Sequence, residues 1–99
     1  MKIEWDRKHQ DGTAVFKSRS EFWVKERAGS KGYTVRQIPD NGDEWDDFSY
    51  WMQYCPHKFI RIESTAGPEK FTRHVTDISI LGFFLGNYVV GIAFSEEAP

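Results

Sequence analysis

The sequence predicts one α+β domain, a compact sheet of about five to six strands curled toward a β-barrel, with two short helices covering its ends. Runs rich in β-branched and aromatic residues recur at 13–17, 33–38, 58–63, 70–80 and 87–94 with period-2 character. Helical spacing marks two other segments, 19–28 and 43–54. Strand, helix, strand, helix and then three strands, joined by short connections, fit a small curled sheet. With 99 residues, 39% of them hydrophobic and 16% aromatic, the chain suffices for one core and not two, so a single domain over 1–99 is expected.

Each element has its own signal. After the first strand, Ser18 and Glu21 stand at capping-box spacing, and Phe22, Trp23 and Val24 precede Gly29, a natural helix stop. Tyr33 begins a strand that Pro39-Asp40-Asn41-Gly42 closes with turn chemistry. From Asp43 on, Trp45, Phe48, Trp51 and Met52 share one helical face behind acids suited to a helix N-terminus, and Pro56 ends the pattern. That stripe is expected to pack into the core. In the last strand Tyr88, Val90, Ile92 and Phe94 point one way and Val89, Gly91 and Ala93 the other, so something should approach the small face closely. Gly67 and Pro68 mark a hairpin loop, whereas the pattern does not fix the path of the apolar connection 81–86.

Composition narrows the function classes. The longest apolar stretches fall short of the roughly 20 residues that span a bilayer, and the charged first ten residues lack the apolar core of a secretory signal. A cytoplasmic protein without membrane contact is expected. Cys55 is the sole cysteine, so no intramolecular disulfide forms, and it reads as a small buried hydrophobe. A net charge of −2 conceals an asymmetry: nine Lys/Arg against five Asp/Glu up to Ile38, then five acids and no base from Pro39 to Cys55. One face can therefore carry a positive field suited to a local anionic ligand, without the pervasive basic surface of a duplex DNA binder.

The run Gly29-Ser30-Lys31-Gly32-Tyr33-Thr34-Val35-Arg36 is the most informative. A helix ends at a glycine and a strand begins. Alternation should turn Tyr33 and Val35 inward and put Thr34 and Arg36 together on the opposite face, with Lys31 projecting from the turn before them. An ammonium beside a guanidinium is disfavoured in its charged form, so Lys31 is expected to act as a base or a proton shuttle and to activate the Thr34 hydroxyl.

This G-x-K-x-x-T-x-R pattern resembles the signature of ASCH domains, barrels of the PUA-like superfamily found in small bacterial and phage proteins. Phe71-Thr72-Arg73-His74-Val75-Thr76-Asp77-Ile78 and Tyr88-Val89-Val90-Gly91-Ile92 are similar to that family's last two strands, so the resemblance in order spans about 22–94. The portion 26–36 also resembles phage-encoded proteins of similar size. The resemblance implies a nucleoside- or RNA-interacting domain. In one branch, the lysine and threonine of the motif hydrolyse the acyl amide on the exocyclic amine of acetylcytidine, with a glutamate completing the set. By that resemblance Lys31 is the base, Thr34 the nucleophile, and Arg36 holds polar groups of the ligand. This chain lacks the longer segment that supplies the family's glutamate, which leaves Glu63 and Glu69 as substitutes.

Arg61 and Arg73, on neighbouring predicted strands, would extend a positive groove from Arg36, and His74 would reach a ligand from the side of Thr72 and Thr76. His9, His57 and His74 are dispersed, with no acid completing a ligand spacing around them, so neither a metal nor another cofactor is expected. Two readings result. One is an ASCH-type nucleoside or RNA domain with amidohydrolase chemistry; the other is a non-enzymatic phage or prophage accessory protein that binds nucleic acid or a host protein. Carboxylate access to Thr34 separates them. The sixteen aromatic residues also leave room for a homodimer interface.

Overall fold

The structure is a computed structural model that describes residues 1–19 and 32–96. The first predicted helix lies, but for Arg19, outside the described residues, as does Lys31. A hairpin of β1 (Lys2–Asp6) and β2 (Asp11–Ser18) opens the chain. Next come β3 (Tyr33–Pro39) and a helix, α1 (Asp43–Tyr54). β4 (His57–Ser64), β5 (Lys70–Phe84) and β6 (Asn87–Phe94) follow as an antiparallel meander. The fold class is α+β, with six strands and one helix among the described residues.

The strands hydrogen-bond in the order β1-β2-β4-β5-β6-β3. β2 and β4 are parallel, which the long crossover through β3 and α1 permits; every other pair is antiparallel. The expected closed barrel is corrected here to an open sheet, because β1 and β3 are its two edges and no ladder joins them. β5 makes the curl. Its first part pairs with β4 and its second with β6, with register shifts between Val75 and Asp77 and between Ile80 and Gly82 that bend the strand. Where the curled sheet brings β3 toward the end of β2, the Arg36 side chain crosses the gap in place of main-chain bonds.

The concave face carries the core: Ala14 and Phe16 from β2, Ile38 from β3, Ile60 and Ile62 from β4, Phe71 from β5, and Val90, Ile92 and Phe94 from β6. Phe48 and Trp51 of α1 are fully buried against it, and Trp45 and Met52 pack at its margin, as the helical stripe predicts. Each large side chain so buried contributes about 1.5–3 kcal/mol. Trp51 fixes the helix to the sheet. Its indole Nε1 donates to the Gly12 carbonyl at 2.9 Å, and a Cβ on Gly12 would stand 2.6 Å from the Trp51 ring. The thiol of buried Cys55 donates to the His57 carbonyl at 3.2 Å, and burial pushes its pKa up, as suits an inert thiol.

Three features depart from the sequence pattern. β1 exists within a stretch dominated by charge, its Ile3 and Trp5 lying opposite Ala14 and Gly12 of β2. The connection 81–86 is strand up to Phe84, closed by the two-residue turn Leu85-Gly86 with φ of 50° and 79°, both in the left-handed region that suits a tight hairpin. The facing of β3 is reversed: Thr34 and Ile38 are buried, whereas Tyr33 and Val35 face outward. The reason lies across the sheet. Tyr33 rests its ring on Gly91 of β6, where a Cβ would overlap it, so the small face of β6 is covered by Tyr33. Among the described residues no helix is long and apolar enough to cross a membrane.

Candidate functional site

Strand alternation on β3 brings Thr34 and Arg36 to one face, and that face is the concave one. Arg36 Nε donates to Thr34 Oγ1 at 3.0 Å, Nη1 to the Lys17 carbonyl at 2.7 Å and Nη2 to Ser18 Oγ at 2.5 Å. Its guanidinium also lies 5.1 Å from the centroid of the Phe16 ring. The planar fork thus ties β3 to the end of β2, a geometry that a lysine could not reproduce. Thr34 is 2% exposed and its hydroxyl is engaged by Arg36.

The two glutamates expected to complete a catalytic set lie apart from this hydroxyl. Glu63 sits on the opposite face of β4, where its carboxylate accepts from Arg61 Nε at 3.2 Å. Glu69 is in the exposed β4–β5 loop, its carboxylate folded over Gly67. Among the described residues no carboxylate bonds to Thr34.

Arg61 and Arg73 occupy neighbouring strands but opposite faces. Arg61 projects outward, and its Nη1 and Nη2 hold both carboxylate oxygens of Glu4, at 3.0 and 2.6 Å, while Nε holds Glu63. This bidentate pair lowers the Glu4 pKa and raises that of Arg61. Arg61 is thus neutralised by two acids and adds little positive field. Arg73 is only 9% exposed and points to the concave side, its guanidinium 4.9 Å from the Phe71 ring centroid and its Nη1 donating to the Thr72 carbonyl. His74 faces outward, its ring 4.5 Å from that of Phe59 and away from Thr34.

A groove of about 770 Å³ runs between β3 and the adjoining ends of β1 and β2. Val15, Phe16 and Val35 form its apolar floor, and Lys2, Lys17 and Arg36 line it with Glu44 and Glu63. Glu63 is paired with Arg61, whereas among the described residues no carboxylate pairs with Lys17. Sequence reasoning missed Lys17 and Ser18: Ser18 suited a helix cap, and nothing local shows that β3 would come alongside it.

A separate cleft of about 510 Å³ lies at the other end of β2, where Trp5, Tyr50 and Tyr54 meet Asp6, Asp11 and Asp47. Beside it, and contrary to the expectation that no acid would complete a ligand spacing around a histidine, the β1–β2 turn places donor atoms of Asp6, His9 and Asp11 within 4.8 Å of one another. An imidazole with two carboxylates is a donor set that a divalent cation can share. His9 Nδ1 lies 2.8 Å from Asp6 Oδ2, and this contact raises the His9 pKa and lowers that of Asp6. A histidine pKa raised by folding adds stability that is complete below the ordinary value of 6.5 and is lost as pH rises through the folded value. NMR titration should place the His9 midpoint above the ordinary value in the native protein and return it there in Asp6→Asn; equal midpoints would refute the pairing.

Compared with protein-family models, curated proteins and solved structures, the chain matches none of them.

Proposed function

We propose that this chain is an ASCH-like RNA-binding domain that works by binding rather than by catalysis. In the groove, Lys17 takes a phosphate of a single-stranded RNA, while Lys2 is paired with Glu4 at 3.5 Å and Arg36 braces β3 to β2. The observation that carries the reading is the Thr34 hydroxyl, buried and held by Arg36 with no carboxylate bonded to it among the described residues. A threonine nucleophile needs access to its substrate; at 2% exposure Thr34 has the environment of a structural hydroxyl. A lysine head beside an apolar floor suits instead a backbone phosphate next to a sugar or base.

Fluorescence anisotropy with a short labelled single-stranded RNA tests this. Native protein should bind with strong salt dependence, and Lys17→Glu should weaken binding at least about tenfold and reduce the slope of log K against log salt by about 0.7–1. Unchanged affinity in Lys17→Glu, or no binding at low salt, would rule the groove out. Acetylcytidine should not be consumed by the same preparation; turnover abolished by Thr34→Ala in a folded variant would restore the amidohydrolase reading.

A further inference from the structure

Among the described residues, the second half of β5 has no strand on its outer side. β4 pairs with Lys70 to His74, β6 pairs with Val75 to Phe84, and among the described residues no ladder covers the other edge of the latter stretch. From Ile78 to Gly86 the sequence is Ile-Ser-Ile-Leu-Gly-Phe-Phe-Leu-Gly, without a charge or a proline. Free edges are ordinarily defended by lysines, prolines or brevity. Two bulges bend this strand, but they leave Ile78 to Ile80 in regular register between them.

Its side chains are as unprotected as its backbone. Ile80 is 51% exposed, Leu81 53%, Phe83 55%, Phe84 67% and Leu85 82%. Ile80 and Phe83 lie opposite Val90 and Tyr88 and continue the concave face past the point where α1 and the β2–β4 strands cover it. Taking roughly 200–240 Å² as the full surface of such residues, these exposures leave on the order of 650 Å² per chain, shared between the two faces of the hairpin, since Phe84 lies on the face opposite Ile80 and Phe83. Doubled, that is about 1,300 Å², the most that two such hairpins can bury and at the lower end of the range of a stable specific interface.

We propose that this edge is a homodimer interface, in which β5 pairs antiparallel with β5 of a second copy about a twofold axis and the apolar hairpins cover one another. The occupant follows from chemistry. An isologous pair requires a strand complementary to itself, and an uncharged apolar strand meets that condition without opposing like charges. A membrane surface fits less well, because the charges nearest the hairpin are acidic: Asp77 flanks the strand, and Asp40 is held at the tip by its N–H bond to the Gly86 carbonyl at 2.9 Å.

Sedimentation velocity and light scattering over a wide concentration range test the interface. Native protein should have twice the 11.6 kDa chain mass. Leu81→Lys and Phe84→Lys, both at exposed positions, should weaken dimerisation at least tenfold while leaving the circular dichroism unchanged. Tyr54→Lys, an equally exposed aromatic site on α1, should remain dimeric. A native protein monomeric throughout, a dimer that survives both hairpin substitutions, dissociation by Tyr54→Lys alone, or open-ended oligomers would each overturn the proposal.

Discussion

Replacing Trp51 with alanine should destabilise the fold by about 3–5 kcal/mol, the largest effect expected of any single substitution here. The indole is fully buried, packs on Phe48 with ring centroids 5.3 Å apart, and bonds the Gly12 carbonyl. Truncation removes the apolar contact, opens a cavity, and leaves a buried carbonyl without its donor. Trp51→Phe separates these terms. It keeps most of the packing, so its loss should be about 1–3 kcal/mol. Urea denaturation followed by circular dichroism measures both. A loss below about 1 kcal/mol in Trp51→Ala would mean that α1 is not seated on Gly12 as the structure has it.

Trp51 also marks how far the sequence could be read. The span of α1 was legible because its apolar residues keep helical period and its boundaries carry acids and a proline, both local signals. β6 was legible for the same reason, as was the prediction that its small face would be approached. What approached was not legible. Tyr33 lies far away in sequence, and its seat on Gly91 reversed the expected facing of β3. Apolar character favoured turning Tyr33 and Val35 inward, but the β3–β6 ladder fixes which face each residue takes, and it puts Thr34 opposite core residue Ile92. β1 escaped notice because only Ile3 and Trp5 signal a strand, with charged residues between and after them. The open sheet depends on which strands meet at its ends, a property no window of residues contains. At the site, the pairing of Thr34 with Arg36 followed from alternation alone, whereas Lys17 and Ser18 join them only through the curl of the sheet.

That junction yields the second large effect. Arg36→Ala should destabilise the protein by about 2–3 kcal/mol, because it strips a charged donor from Thr34, Lys17 and Ser18 together and uncovers the Phe16 ring. Its partly buried position keeps the figure below that of a fully buried ion. Arg36→Lys should recover less than half of the loss, since one ammonium cannot reach three acceptors that the guanidinium meets in a plane. A cycle with Thr34→Val should give a coupling of about 0.5–1.5 kcal/mol, which reports the bond from Nε to the hydroxyl rather than the charge. The result bears on the proposed function. Removal of a structural arginine shows as lost stability, while on that proposal RNA binding by the remaining folded fraction should depend on Lys17. Were Arg36→Ala as stable as the native chain yet unable to bind RNA, its donors would belong to the ligand. Arg36 would then be the ligand-holding residue that the motif implies, and not the brace between β2 and β3.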